Sequence, residues 1–542
     1  MTHSVLILGA GLMQRPAIEA AHELGLSAVV ADANPRAVCA RFADRFEPVD
    51  LKDREGLLSL ARSLGPNLLG VFTAGTDFSA SVSYVAEALN LPAHSFESAC
   101  NASNKVRMRA CFERHRVPSP SFREIDRNNL ASLLEPDVLS SLRFPLVVKP
   151  VDNMGARGCR LVRDTSELLL AVEDAVRHSV SSKAILEDFM EGPEFSIDAV
   201  IYKGTFTVTG FADRHIFYEP YFIEMGHTMP TSLDEAKRLE LIACFARAAH
   251  ALGLTCGVAK ADIKYTSHGP MVGEVAARLS GGYMSGWTFP YASGCNLTRE
   301  ALCIAVGREP ASLLEKRTPL SSPPDLPYEL YELCCTRASA ERAWISIPGT
   351  VSALYGEDDV QGVPGLHDVF VRSRAGAHVS FPRNNVEKCG NVISAAASRA
   401  QAVESADRAR SCLVVRLKPF EPETDGFLSG AVRGAESGFP PDAFGLDGKT
   451  RAAFDAFLDS APDLAPDRFV AEQLPPCLAS VSDSLCDWNG RTIIQTLRMF
   501  DFLVPVHGTY PGKVFWNSLV RGGIQGIMYV HDCADKKERL HS

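Results

Sequence analysis

Two carboxylates and an arginine stand close together in the stretch ADIKYTSHGPMVGEVAARLSGG, residues 261–282. Val258 to Tyr265 and Met271 to Ala276 read as strands, and His268-Gly269-Pro270 as the turn between them. Such a hairpin sets Asp262 on one strand and Glu274 on the next, with facing side chains about 5 Å apart. Acids that close repel unless a cation lies between them. A hard divalent ion with oxygen ligands suits the pair, Mg²⁺ first and Mn²⁺ as its substitute, and Mg²⁺ brings phosphates with it. Arg278, four residues past Glu274, can hold an anion or stabilise developing negative charge. The spacing alone equally fits a hairpin edge whose carboxylates face water.

Three upstream segments add groups of the same chemistry. FPLVVKPVDNMGARGCRLV is an apolar strand ending in Lys149-Pro150, a loop with Gly155 and Gly158, and a second strand from about Cys159 to Val162. Glycines let backbone N–H groups approach phosphate oxygens, and the strand lysine neutralises them. No Walker loop occurs. AILEDFMEGPEFSIDAVIYKG reads as strand, Gly-Pro turn and strand, with Glu187 before Phe189-Met190 and then Glu194. An acceptor, apolar residues and a second carboxylate could hold an amino-substituted base and a ribose. ESACNASNKVRMRACFERHRVPSP opens on Asn and Ser cap signals and continues as a helix with Lys105 in its first half.

These four segments, in this order, resemble the ATP-grasp superfamily over roughly the first three quarters of the chain. The resemblance implies that Lys105 and Lys149 touch nucleotide phosphates under a hairpin loop carrying Gly155 and Gly158. It puts Glu187, the backbone near Met190, and Glu194 at the adenine and ribose. Asp262 and Glu274 become the Mg²⁺ ligands and Arg278 the catalytic cation. The family's final signature is E-x-N-x-R; here it is Glu274-Val275-Ala276-Ala277-Arg278. Alanine at position 276 removes a side-chain oxygen that often adds a metal contact.

Elements that position these groups follow from the rest of the chain. SVLILGAGLMQRPAIEAAHELGLSAVVADANP is strand, glycine turn, helix and strand, ending near Asp32. It looks like a dinucleotide fingerprint, but Gln14 stands where the third glycine belongs. An α/β domain whose glycine turn faces a substrate fits the resemblance better. Thr76 and Asp77 follow an apolar strand at a sheet's carboxyl edge, as substrate contacts or, for Asp77, a helix cap.

The expected fold is mixed α/β and α+β. A Rossmann-like domain spans 1–95, and a two-lobed ATP-grasp domain spans 96–315 with its lid at about 120–190. A β-rich domain spans 325–420, after the Pro/Ser-rich TPLSSPPDLP, and an α/β appendage spans 421–542. Within the ATP-grasp body, FADRHIFYEPYFIEMGHTMPTSL reads as a loop-rich insertion, with Glu224 and His227 ahead of His215 as substrate contacts. Ser280, Gly281 and Gly282 allow close backbone approach to a phosphate or substrate. His507 and His531 in the tail are lone histidines, more fitting as structural residues than as ligands.

Composition narrows the class. The chain has 542 residues, 46% hydrophobic and 22% charged, as in ordinary globular proteins. A net charge of −10 speaks against nucleic acid as a partner. Fifteen cysteines without a C-x-x-C pair are neither a zinc framework nor a disulfide scaffold, and they fit a reducing compartment. No apolar run reaches membrane-span length, so a cytoplasmic location without a membrane partner is expected. The combined reading is an ATP-dependent ligase. It activates a small carboxylate as an acyl phosphate and joins it to an amine, with amino-acid or peptide-like substrates, ADP and phosphate as products, and a homodimer allowed. The alternatives are a carboxylase that phosphorylates bicarbonate, a nicotinamide oxidoreductase, and a non-catalytic nucleotide-binding protein.

Overall fold

The computed structural model describes residues 2–541, apart from 127–128, 131–132, 134, 431–437, 461–468 and 506–509. These residues divide into two compact units. One comprises 1–215, 227–340 and 395–399; the other comprises 216–226, 341–394 and 400–542.

In the first unit, strands alternate with amphipathic helices from the start. β1 (Ser4–Leu8) leads into α1 (Arg15–Glu23), which has a proline in its first turn, and then β2 (Ser27–Ala31). β3 (Arg45–Glu47) and β4 (Leu68–Phe72) complete a parallel sheet in the order β3-β2-β1-β4. Val5, Ile7 and Val30 belong to one hydrophobic core, while Leu6, Leu8 and Val29 belong to another, so both sheet faces are covered. α2 (Ser79–Ala88) follows the turn after β4. α3 (Lys105–His115) starts at Asn104, whose side chain accepts from the Arg107 N–H.

Next comes a small antiparallel sheet. β5 (Phe122–Asp126), β6 (Leu146–Pro150), β7 (Arg160–Val162) and β8 (Lys183–Asp188) lie in the order β5-β8-β6-β7. α4 (Thr165–His178) buries Leu168, Ala171 and Val172 with Val148, Val162 and Leu186 of that sheet. The Lys149 strand and its glycine loop are thus a hairpin, as their pattern predicts.

β9 (Glu194–Tyr202) and β10 (Thr205–Phe217) begin the larger lobe. After β11 (Ile223–Met229) and α5 (Glu235–Ala251) come β12 (Gly257–Thr266) and β13 (Gly269–Ala276). β13, β12, β9 and β10 are antiparallel neighbours in that order. Alternation along these strands separates two faces. Phe195, Ile197, Ala261, Ile263 and Val275 pack with Leu241 and Phe245 of α5 and Phe112 of α3. The intervening positions are polar: Glu194, Ser196 and Asp198 on β9, Lys260, Asp262 and Lys264 on β12, and Glu274 on β13. α6 (Leu297–Ala305) covers part of the first core with Leu302 and Ile304. β14 (Arg317–Pro319) pairs with β15 (Glu329–Leu333), which adds in parallel to β10.

The segment read as a loop-rich insertion folds differently. β10 continues to Phe217, and all seven residues of β11 are buried. Ile223, Met225, His227 and Met229 recur at every second position, and the polar residues between them disguise the strand.

In the second unit the chain continues along β16 (Ala338–Trp344). β17 (Gly349–Tyr355) pairs with β19 (His378–Val379) and β21 (Val414–Leu417), and β18 (Leu366–Val371) pairs with β20 (Gly390–Ala396). α7 (Arg399–Cys412), α8 (Gly448–Ser460), α9 (Ile493–Leu503) and α10 (Gly512–His541, kinked at Gly523) follow. The apolar stretches of the tail, read as part of an α/β appendage, fold as helices. Phe444, Phe454, Leu497, Trp516 and Ile524 share one core with Trp344, Val351 and Leu417. Among the described residues no helix is long and apolar enough to cross a membrane.

Candidate functional site

Strand register brings the two acids together. Asp262 lies directly opposite Glu274, and the ladder slips by one residue just beyond that pair, so Gly273 is an extra residue on β13. The Gly273 carbonyl accepts from Arg109 Nη2 at 2.6 Å. Lys105 Nζ lies 3.3 Å from Glu274 Oε1 and donates to the Asn153 carbonyl at 3.0 Å. Arg214 Nη1 lies 2.9 Å from Asp262 Oδ1 and 2.5 Å from Glu194 Oε1. Lys260 donates to Asp262 Oδ2. Burial alone would raise the Glu274 pKa, but Lys105 first, then Lys260, Lys149 and Arg278, hold it below the usual carboxylate range. Burial likewise works against the Lys105 charge, and Glu274, Asp77 and Glu187 outweigh it, so its pKa is raised. Both partners therefore stay ionised.

Lys149 is held from below. Glu187 Oε2 lies 2.7 Å from its Nζ, and Glu187 Oε1 accepts from Arg109 Nε at 3.0 Å. Glu187 is only 3% exposed. It is the shared counter-ion of Lys149 and Arg109. Desolvation pushes its pKa up, but Arg109 and Lys149 pull it down further, for a net lowering. The loop above Lys149 turns through left-handed backbone at Gly155, Ala156 and Gly158. A Cβ on Gly158 would come within 2.9 Å of His178 Cβ, so glycine is needed there for packing as well as for conformation. Asp152 fastens the loop's base by accepting from Ser179 Oγ and from the N–H groups of Val180 and Ser181.

Other sequence-derived candidates have defined places. Met190 presents its carbonyl to Lys264 Nζ at 3.0 Å, and Lys264 also lies over the Phe189 ring. Arg278 Nε donates to Asp77 Oδ1 at 2.6 Å, so Asp77 is its ion partner and does not cap α2. The Ser280 hydroxyl and N–H both donate to Asp198 Oδ2, at 2.7 and 3.2 Å. Ser280 is buried and serves as an anchor, not as an open contact. Gly281 lies against Gly75, and Gly75 against Met13, so the loops at 11–14, 73–77 and 279–282 converge beside Arg278. Gly282 adopts φ +63° at that turn.

The glycine turn after β1 departs from the dinucleotide fingerprint. Gln14 is fully buried, accepts from the Ala74 N–H at 2.9 Å and lies 3.3 Å from the position of a Cβ on Gly9. Asp32 accepts from the Ala10 and Asn34 N–H groups, both at 2.8 Å. Gln14 packs under the turn where a dinucleotide fingerprint has its third glycine, and Asp32 fastens the turn through backbone N–H groups.

Two substrate candidates are buried. His227 is fully buried, with Nε2 2.8 Å from Thr288 Oγ1, and belongs to the interior of β11. Glu224 is buried in the second unit, where its N–H donates to Asn385 and its carbonyl accepts from Lys388. His215 bonds Thr228, and His531 bonds Tyr510. His507 lies outside the described residues. Arg109, Arg214, Lys260 and Asp198 were missed by the motif reading. Lys260 and Asp198 stand at every second position with Asp262 and Ser196, a polar alternation visible in the sequence itself.

The donor set suits Mg²⁺ with a phosphate chain. Among the described residues no group of three or more histidine, cysteine or acidic side chains could hold a metal alone. Two opposed carboxylates, one of them a third exposed, match an ion that takes one or two protein ligands and completes its shell with phosphate oxygens and water.

Parts of the chain are similar to known proteins. Residues 142–286 match the family of ATP-grasp domains, and residues 343–418 match the L-amino acid ligase C-terminal domain 2. Human carnosine synthase 1 is 26% identical over 333 residues, covering 57% of this chain and 40% of that protein. D-alanine–D-alanine ligase B of Pseudomonas putida is 31% identical over 175 residues, covering 31% of this chain and 52% of that protein. The chain thus spans about half or less of these two relatives. The crystal structure of L-amino acid ligase from Bacillus licheniformis superposes with a TM-score of 0.64 at 23% identity, over 77% of this chain and all of that one.

Proposed function

We propose that this chain, which carries an ATP-grasp domain over residues 142–286, is a carboxylate–amine ligase acting on amino acids or short peptides. The observation that carries the reading is the direct pairing of Asp262 with Glu274 on the polar face of the β12–β13 hairpin, within the field of Lys105, Lys149 and Arg278. The relatives' names, carnosine synthase, D-alanine–D-alanine ligase and L-amino acid ligase, support an amino-acid acid and amine.

A carboxylate does not condense with an amine at neutral pH, because the oxygen that must leave is a poor leaving group. Transfer of the γ-phosphoryl of ATP to the carboxylate makes a mixed anhydride that an amine can open. Lys105 and Lys149 hold phosphate oxygens, Lys149 from a fixed place on Glu187. Asp262 and Glu274 would hold Mg²⁺, which supplies charge neutralisation at the β- and γ-phosphates. Arg278, steadied by Asp77, holds the acid in line and offsets negative charge as the amine attacks. The Lys149 hairpin excludes water from the anhydride.

The test is product analysis. Supplying amino acids singly and in pairs with MgATP should release ADP and phosphate one for one with peptide bond formed. Hydroxylamine should trap a hydroxamate from the acid alone, and Arg278→Ala should lose most of that trapping. AMP and pyrophosphate as products would overturn the mechanism.

A further inference from the structure

Each cation resting on the two paired acids must give way when a divalent ion arrives. Lys105 already has a second acceptor, the Asn153 carbonyl, and Arg214 already has Glu194. Lys260 touches Asp262 and is itself buried. Directly across the antiparallel β9–β12 ladder from Lys260 stands Asp198. Its Oδ2 is saturated, accepting from Ser280 Oγ, Ser280 N–H and Ser285 Oγ. Its Oδ1 is buried and accepts no hydrogen bond from the described residues, and Asp198 is wholly inaccessible to solvent.

We propose that Lys260 is a two-position counter-ion, resting on Asp262 in the nucleotide-free enzyme and crossing to Asp198 Oδ1 when a divalent ion takes Asp262. Asp198 is then a positioning residue that receives the displaced charge. Facing residues on antiparallel strands have Cβ atoms about 5 Å apart, and a lysine carries its ammonium on a flexible four-carbon stem. Lys260 therefore reaches either carboxylate without backbone movement. The exchange lets a metal displace a buried ammonium without leaving it unpaired, and it gives a partner to a buried carboxylate oxygen that accepts no hydrogen bond from the described residues. The fixed Oδ2 bonds keep Asp198 from swinging to the metal itself. The inference rests on the reading of Asp262 as a metal ligand.

Mn²⁺ binding to the ADP complex, followed by electron paramagnetic resonance, tests both. Asp262→Asn should abolish the bound signal; unchanged binding would overturn the ligand reading itself. Lys260→Met removes the competing charge and should tighten Mn²⁺ binding. Asp198→Asn keeps an acceptor for the serines but leaves Lys260 on Asp262, and should weaken Mn²⁺ binding by about tenfold, the scale of a lost outer partner of a metal ligand. In the Lys260→Met background, Asp198→Asn should have little effect. Equal weakening in both backgrounds would make Asp198 a simple scaffold and overturn the proposal. Weaker or unchanged Mn²⁺ binding in Lys260→Met alone would also overturn it, even where Asp198→Asn fails to fold.

Discussion

Glu187→Gln should destabilise the first unit by about 3 kcal/mol. The carboxylate is 3% exposed, Arg109 beneath it is 1% exposed, and Lys149 above it is 14% exposed. Each oxygen of Glu187 serves one cation. A glutamine amide has one oxygen, so either Arg109 or Lys149 must face an NH2 group. Removing one member of a buried ionic group costs about 3–5 kcal/mol, since the remaining charge keeps its desolvation penalty. The lower end applies here: Arg109 keeps its bond to the Gly273 carbonyl, and Lys149 can turn toward water. At about 2 °C per kcal/mol for a unit of this size, the melting point should fall by about 6 °C. Thermal unfolding with Lys149→Met as a companion isolates the cause. With Lys149 gone, the glutamine oxygen can serve Arg109, so Glu187→Gln should cost less in that background than in the parent. A melting point within about 1 °C of the parent, or full additivity in the double variant, would refute the account of Glu187 as a shared counter-ion.

Glu274→Gln should leave the fold intact and abolish Mg²⁺-dependent ADP release, because it removes charge without changing shape; normal turnover would reject the metal pair. His94 is held neutral in the core, where burial pushes its pKa down to about 4 and its Nδ1 accepts from the Thr255 and Cys256 N–H groups. Its folded pKa lies below the unfolded value of about 6.5, so the unfolded chain binds more protons between those pH values. Stability should therefore fall as pH drops through that window, by up to about 3 kcal/mol. His94→Gln should flatten this part of the melting-point profile. Gly210→Ala would set a Cβ 2.2 Å from the buried Phe289 ring; it should cost about 1–3 kcal/mol by overpacking, read as a lower melting point with unchanged nucleotide specificity.

The parts of the site that local pattern controls were legible. A lysine at the end of an apolar strand, glycines in a hairpin loop and acids flanking a turn are short-range signals, and Lys149, Gly158, Asp262 and Glu274 stand where those signals put them. What stayed hidden depended on distant partners. Arg109 is one more charged residue on a helix until folding brings Glu187 and Gly273 to it. Asp77 looked like a cap because nothing nearby announces Arg278, some two hundred residues on. His227 looked available because its polarity hid the alternation of β11, where it occupies an interior position. Gln14 showed as a missing glycine, but only the packed turn reveals that its amide fills the space.

The alternation of β9, β12 and β13 ties catalysis and folding to a single count of residues. Moving β12 by one position would present Ala261 and Ile263 on the polar face and drive Lys260 and Asp262 into the hydrocarbon packed against α5. Neither half of that exchange is tolerable, so loss of chemistry and loss of stability coincide. Drift by insertion or deletion is therefore barred from β12 and falls instead on its connections, such as the Ser267-His268 turn, or on a bulge such as the one at Gly273. Among descendants of this chain, the length of the Gly257–Tyr265 segment should be as invariant as Asp262, the acid it carries, while the loops that meet at Gly75 and Gly281 are freer to change.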